Sequence, residues 1–222
     1  MLTPRLEMIL KHVKGKSCAD IGTDHAYIPI ELAARGMSVI ATDINPGPLK
    51  IAAENAKKYS KEIDLRLGAG ISPIEKGEVD TIVIAGMGGE MIEKIISADF
   101  EKARASLLIL QPMNSQAELR KFLAENGFCV IKEDIEVEGF KVYNLMVVKH
   151  GSGVEYKRDI DAHLPKMLYG HPLFDKLLDK KRREFTKILN GLLKASGKDS
   201  EKIAYYAGLL KEIDLIERGE SE

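Results

Sequence analysis

Over the first 150 residues, short unbroken apolar runs alternate with longer stretches in which apolar residues recur every three or four positions. The runs end near Ile21 and cover 38–42, 79–85 and 106–110, the pattern of strands buried on both faces, and 64–68 reads as a short further strand. The periodic stretches predict amphipathic helices. Thr3-Pro4 offers a capping side chain and a proline for the first turn, and Leu6, Ile9, Leu10 and Val13 make a stripe running to Gly15. Ile28, Ile30, Leu32 and Ala33 form the next stripe, and Leu49, Ala52, Ala53 and Ala56 another behind Asn45-Pro46. Residues 90–96 and 116–126 give two more, the last stopped by Gly127. Two further strands, 128–135 and 143–149, flank a segment centred on Gly139. Nothing of helix length joins them, so they must pair antiparallel. Five β-α units and this hairpin predict an α/β sheet with ligands at the carboxyl ends of its strands.

The pattern changes at Gly151-Ser152-Gly153, which divides the chain into residues 1–152 and 153–222. Beyond it Leu173, Leu177, Leu178, Phe185, Ile188, Leu189, Leu192 and Leu193 stand at helical spacing. A polar turn at 195–200 follows, and Ile203, Tyr206, Leu209, Leu210, Ile213 and Ile216 resume the stripe. Two long helices with a short polar connection predict an antiparallel, coiled-coil-like hairpin. No internal repeat or low-complexity tract interrupts either part.

Composition narrows the classes. With 222 residues and 45% apolar content the chain can build one α/β domain and an appendage. The net charge of −1 gives no global attraction to nucleic acid, so such a partner needs a local patch. Cys18 and Cys129 both lie in apolar runs and read as small buried hydrophobes. No metal-ligand spacing, secretory leader or membrane-length apolar run is present, which predicts a soluble cytoplasmic protein without a metal.

The most informative stretch is 18–29, Cys-Ala-Asp-Ile-Gly-Thr-Asp-His-Ala-Tyr-Ile-Pro. It reads as a buried strand turning at Gly22 into a helix over a ligand, because glycine lets backbone approach closely. Asp43, about 20 positions further on at the end of the second run, stands where a ribose-binding carboxylate is expected. A dinucleotide fingerprint would need glycines where Asp24 and Tyr27 stand, and no Lys or Arg is there to meet a phosphate. An acidic, glycine-poor turn suits a nucleoside ligand that carries positive charge, such as S-adenosylmethionine. The plainer reading is an ordinary strand-turn-helix with a solvated Asp-His pair. Every other unusual cluster also falls at a strand end: Asp43-Ile44-Asn45, Gly68-Ala69-Gly70, Gly86-Met87-Gly88-Gly89 and Gln111-Pro112-Met113.

The run 20–27, Asp-Ile-Gly-Thr-Asp-His-Ala-Tyr, with Ala85-Gly86-Met87-Gly88-Gly89 and Gln111-Pro112-Met113, resembles the bacterial TrmK family of tRNA (adenine-22-N1)-methyltransferases. The likeness covers the whole chain, since that family also carries a C-terminal helical extension. It implies a class I S-adenosylmethionine-dependent (Rossmann-like) fold with strand order 3-2-1-4-5-7-6. It also implies that Asp20, Gly22, Thr23 and His25 line the methionine end of the cofactor. Asp43 and Ile44 would lie at the ribose, Gly68, Ala69 and Gly70 near the adenine, and Ala85, Gly86, Met87 and Gly88 would complete the cofactor site. Many class I enzymes have an acidic residue where Ala69 stands, so here adenine is expected to be read by backbone or by another side chain.

Adenine N1 carries a lone pair and no proton, so methylation there needs no general base, only positioning and charge stabilisation. Asp24, Tyr27 and Met87 are the candidates for that work. Asp24 would offset positive charge or else cap the following helix. Tyr27 would stack on an exposed base or else sit in the core. His25 would donate to the cofactor carboxylate or satisfy the turn, and Met87 would face the substrate or belong to a turn that is glycine-rich only for packing. For tRNA, residues 176–187 hold six bases against two acids, namely Lys176, Lys180, Lys181, Arg182, Arg183 and Lys187 against Asp179 and Glu184. That excess, with Arg5, would contact phosphates, whereas a solvated helix face would look similar. Two other readings stay open: a small-molecule methyltransferase, and a non-catalytic cofactor-binding module whose hairpin docks a protein. A hairpin closing on itself would leave a monomer.

Overall fold

We describe the protein from a computed structural model, in residues 2–152, 155–195 and 199–220. The chain divides into two compact units, Met1–Glu155 and Tyr156–Glu222. Gly153 and residues 196–198 of the expected linker and turn lie outside the described residues.

The first unit contains a seven-stranded sheet of order β3-β2-β1-β4-β5-β7-β6. Its strands are β1 (Ser17–Ile21), β2 (Ser38–Asp43), β3 (Asp64–Leu67), β4 (Thr81–Met87), β5 (Leu107–Pro112), β6 (Phe128–Glu138) and β7 (Lys141–His150). β1 to β5 are mutually parallel; β7 runs antiparallel to both β5 and β6. The class I order expected from the sequence is the order found.

Helices α1 (Pro4–His12), α2 (Tyr27–Ala34), α3 (Pro46–Lys58), α4 (Gly89–Ala98), α5 (Phe100–Ala103) and α6 (Gln116–Glu125) surround it. Because strand side chains alternate between faces, Ala19 and Ile21 join a core with Ile82, Ile84, Ile92, Ile96, Leu108 and Leu119. Cys18, Val83 and Ile109 join the opposite one with Ile9, Leu10, Ile28 and Leu32. Both cysteines are free thiols, Cys18 fully buried.

Four expectations need correction. No helix joins β3 to β4 among the described residues, so there are four β-α units rather than five. Pro73 breaks that segment and Gly68, Gly70 and Gly77 loosen it, while Ile71 and Ile74, both fully buried, plug it into the core as an apolar loop. β4 continues through Gly86 and Met87 by a bulge that pairs Met87 with Pro112. The hairpin strands nearly meet, leaving only Gly139 and Phe140 at the turn. Thr3 is the N-cap residue of α1, but its side chain makes no capping bond.

The second unit has α7 (Asp159–His163), a 3₁₀ turn (Lys166–Leu168), α8 (Phe174–Lys194) and α9 (Ser200–Glu217). α8 and α9 pack antiparallel. Arg182 reaches Asp214 and Glu217 at 2.7 Å each, and the Phe185 and Tyr206 rings lie 5.8 Å apart. No described helix is long and apolar enough to cross a membrane.

The first unit's core also holds an ion pair. Arg120 of α6 donates Nε to Glu133 at 2.8 Å, and both side chains are fully buried. Removing one partner strands the other charge out of water, so Arg120→Ala is expected to cost about 3–5 kcal/mol in chemical denaturation. The double change Arg120→Met with Glu133→Leu should recover most of that loss.

Candidate active site

Strand β1 lies between β2 and β4, where the chain's progress across the sheet reverses direction, and a crevice opens there at the carboxyl ends of the strands. The resulting cleft has a volume of about 540 Å³. Its first wall is the β1–α2 loop, with Asp20, Gly22, Thr23, Asp24, His25 and Tyr27.

Gly22 takes φ +74°, which makes the turn possible without a side-chain clash. The Gly22 and Thr23 amides then both donate to the Thr42 carbonyl, at 2.8 and 2.9 Å, tying the loop to β2. Asp20 is buried at the end of β1. Desolvation raises its pKa from 3.8 to about 6, partly offset by Thr23 beside it and the charge of Arg5. At neutral pH the carboxylate is therefore ionised at a cost of about 3 kcal/mol, which a cationic ligand would offset.

Asp24 and His25 are paired, Oδ2 to Nδ1 at 2.9 Å, and both are substantially exposed. The N-cap of α2 is Ala26, in the left-handed region at φ 56°, so Asp24 does not cap that helix. Tyr27 is half exposed and stacks on His25 with ring centroids 5.5 Å apart and 3° between planes. The core-tyrosine alternative is thereby excluded.

At the neighbouring strand ends, Asp43 Oδ1 accepts from the Asn45 amide at 2.7 Å, and the Asp43 carbonyl accepts from the Gly68 amide at 2.9 Å. Ile44 and Ala69 are exposed, and Gly70 accepts from the Thr42 hydroxyl at 3.3 Å. These residues flank the cleft without lining it.

The β4 loop divides. Ala85 and Gly86 line the cleft, whereas Met87 does not: it packs on the core and lies so close under Gly22 that a Cβ there would be 2.1 Å from its methyl. Met87 thus packs against the Gly22 turn and is not among the residues lining this cleft. Gly88 caps α4, and Gly89 sits where a Cβ would meet the Ser115 carbonyl at 2.5 Å, so the packing reading holds for that glycine.

Arg5 also departs from expectation. Its Nη1 donates to Gln111 Oε1 at 3.0 Å and its guanidinium covers the Tyr143 ring at 5.7 Å, within the cleft wall. It stands in the cleft wall rather than on an open helix surface. Sequence reasoning missed the rest of this second wall, Thr3, Glu138, Lys141 and Tyr143. The only signal was Gly139, which marks the turn that Glu138 and Lys141 flank.

On α8 the six bases separate. Lys181 is buried against Glu184 at 3.0 Å, and Arg182 is spent on α9. Lys180 is half-buried, and burial pulls its pKa down. Lys176, Arg183 and Lys187 are exposed, and Arg183 and Lys187 share a groove with Lys194, which charge counting had omitted. Among the described residues no group of three His, Cys, Asp or Glu could hold a metal.

The fold and the cleft are those of a nucleoside-cofactor methyltransferase, and the sequence matches the family described as "Methyltransferase domain" over residues 2–146. A Bacillus subtilis relative, "tRNA (adenine(22)-N(1))-methyltransferase", is 36% identical over 68% of this chain and 66% of its own. The crystal structure of the B. subtilis M1A22 tRNA methyltransferase TrmK superposes with a TM-score of 0.83 at 29% identity, covering 96% of this chain and 98% of that one. Streptococcus pneumoniae Sp1610, a putative tRNA (m1A22) methyltransferase, gives 0.85 at 32% identity over 97% and 99% of the two chains. Sp1610 has also been solved in complex with S-adenosyl-L-methionine, and that structure gives 0.83. This chain belongs to the TrmK family of bacterial tRNA methyltransferases. The small-molecule and non-catalytic readings find no support among these relatives.

S-adenosylmethionine fits the residues present. A water-shielded carboxylate at Asp20 suits its cationic groups, and the bare backbone of Gly22 permits close approach. The proton balance at Asp20 gives a test. Between pH 3.8 and about 6 the folded carboxyl keeps a proton that the unfolded one releases, so its contribution to stability is present at low pH and lost as pH rises through 6. Asp20→Asn should therefore stabilise the fold by about 2–3 kcal/mol at pH 8 and by little at pH 4. In calorimetry the same variant should bind S-adenosylmethionine at least tenfold more weakly; undiminished binding would remove Asp20 from the cofactor site.

Proposed function

We propose that this protein transfers a methyl group from S-adenosylmethionine to N1 of an adenine at position 22 of bacterial tRNA. The observation that carries this reading is the cleft at the β1–β4 crevice, where one loop sets a buried carboxylate, Asp20, beside an exposed aromatic ledge, Tyr27. When bound, S-adenosylmethionine supplies an electrophilic methyl whose bond to sulfur breaks, with its electron pair left on sulfur, as the bond to N1 forms.

The chain's own residues do the positioning. Asp20, Gly22 and Thr23 hold the cationic, methionine end, and Ala85 and Gly86 offer backbone beside it. Asp43 holds the ribose through its free oxygen, with Ile44 and Gly68–Gly70 around the nucleoside. No side chain moves a proton at N1, since that atom attacks through an unprotonated lone pair. The work of the site is to fix distance and angle, an effect worth up to ~7–11 kcal/mol.

Tyr27, held flat by His25, receives the extruded base by stacking, and Asp24 fixes His25 in turn. A base held in this way has left its stem, so the RNA must be gripped elsewhere. Lys176, Arg183, Lys187 and Lys194 supply that grip on phosphates. The protein works as a monomer in the cytoplasm, where its substrate is.

Incubation with labelled S-adenosylmethionine and a tRNA transcript, followed by nucleoside analysis, should give 1-methyladenosine at position 22 and none when that base is guanine. Label elsewhere in the tRNA, or none, would overturn the reading. Tyr27→Ala should lower turnover about 10- to 100-fold, the value of one base–aromatic stack, while Tyr27→Phe stays near wild type. Arg183→Glu and Lys187→Glu should each weaken tRNA binding, flatten its salt dependence by about one unit of log–log slope, and leave cofactor affinity unchanged.

A further inference from the structure

The cofactor contacts proposed above leave out the wall built by α1 and the β6–β7 hairpin, yet that wall carries two buried polar atoms without partners among the described residues. Glu138, the last residue of β6, stands opposite Lys141 in the ladder, and both line the cleft. Glu138 Oε2 is shielded from solvent and meets no hydrogen-bond partner among the described residues. Thr3 Oγ1 at the start of α1, on the same wall, is likewise buried and without a partner. Their neighbour Arg5 is already engaged, donating to Gln111 and covering Tyr143. A carboxylate oxygen withdrawn from water and left unpaired is costly. An N–H or O–H donor on a ligand entering the cleft would relieve it.

The target base carries such a donor. On the edge of adenine that presents N1, the neighbouring group is the exocyclic N6 amino, a hydrogen-bond donor. Guanine presents a carbonyl oxygen at that place and a proton on N1, so a carboxylate there would repel its carbonyl while N1 could not attack. We propose that Glu138 accepts a hydrogen bond from the N6 amino group of the target adenine and so selects adenine and aims its N1. This rests on the adenine-methylating reading above. As N1 gains its methyl, positive charge spreads over the ring and onto N6, and the contact to an anionic acceptor strengthens with the reaction. Glu138 is then a specificity-determining residue that touches substrate, on the wall facing the β1–α2 loop.

The test uses the full chain and two tRNA transcripts, one with adenosine and one with purine riboside (adenosine without its amino group) at position 22. kcat/KM is measured for the wild type, Glu138→Ala and Glu138→Gln, with thermal midpoint and S-adenosylmethionine affinity as controls. Wild type should prefer adenosine. Glu138→Ala should lose about 10- to 100-fold on adenosine but less than about threefold on purine riboside, the span of one hydrogen bond to a charged group. Glu138→Gln, whose amide oxygen still accepts, should fall between. Affinity for S-adenosylmethionine should match wild type, and the thermal midpoint of Glu138→Ala should not fall, since the change removes an unpaired buried oxygen. An adenosine-to-purine ratio unchanged in both variants, or equal losses on both transcripts, overturns the inference while leaving the methyltransferase reading intact. A wild type that methylates neither transcript overturns that reading and this inference with it.

Discussion

Withdrawing Asp20 from water at the end of the central strand costs about 3 kcal/mol at neutral pH, and the sheet around it is built so that the cost cannot be relieved by movement. β1 is held between β2 and β4, the Gly22 and Thr23 amides are both tied to the Thr42 carbonyl, and Met87 presses up beneath Gly22. With the backbone fixed on both sides, the carboxylate can recover its lost hydration only from a ligand carrying positive charge. The cofactor's sulfonium and ammonium are such charges. The remaining features of the cleft follow from bringing a base to the methyl group of a ligand held in that way.

Those features divide by wall. The β1–α2 loop supplies a flat aromatic surface, in which Tyr27 owes its position to the His25 ring and His25 to the Asp24 carboxylate. The opposite wall is assembled from the chain's first helix and the β6–β7 hairpin, segments more than 110 residues apart, locked together by Arg5 on Tyr143 and by His12 on Asp134 at 2.6 Å, while Arg5 also reaches Gln111 of β5. A wall brought together across such a sequence distance depends on the antiparallel β7 being inserted between β5 and β6.

That dependence explains what the amino-acid pattern revealed and what it concealed. Apolar runs such as 38–42 and 106–110 announced strands because both faces of a parallel sheet are covered, and Gly22 announced its turn because no other residue accepts φ +74° at so little cost. The count of five β-α units gave every strand a helix although no helical stripe stands between β3 and β4, where Ile71 and Ile74 fill the core from a loop. Arg5 looked like a surface cation because nothing local to Pro4-Arg5-Leu6 signals Gln111 or Tyr143. Met87 looked like a substrate contact because its position after β4 was legible, whereas its direction under Gly22 was not. Charge counting on α8 went astray for a related reason. A run of lysines and arginines on an amphipathic helix covers its full circumference, so Lys181 fell on the buried face and Arg182 on the seam with α9.

The central claim is that Asp20 is a desolvated carboxylate waiting for a cation, and its titration can be followed directly. With side-chain carboxyls labelled with carbon-13, NMR should show Asp20 in the free protein titrating near pH 6, and well below that when S-adenosylmethionine is bound. An ordinary value near 4 in the free protein, or no downward shift on binding, would contradict the account.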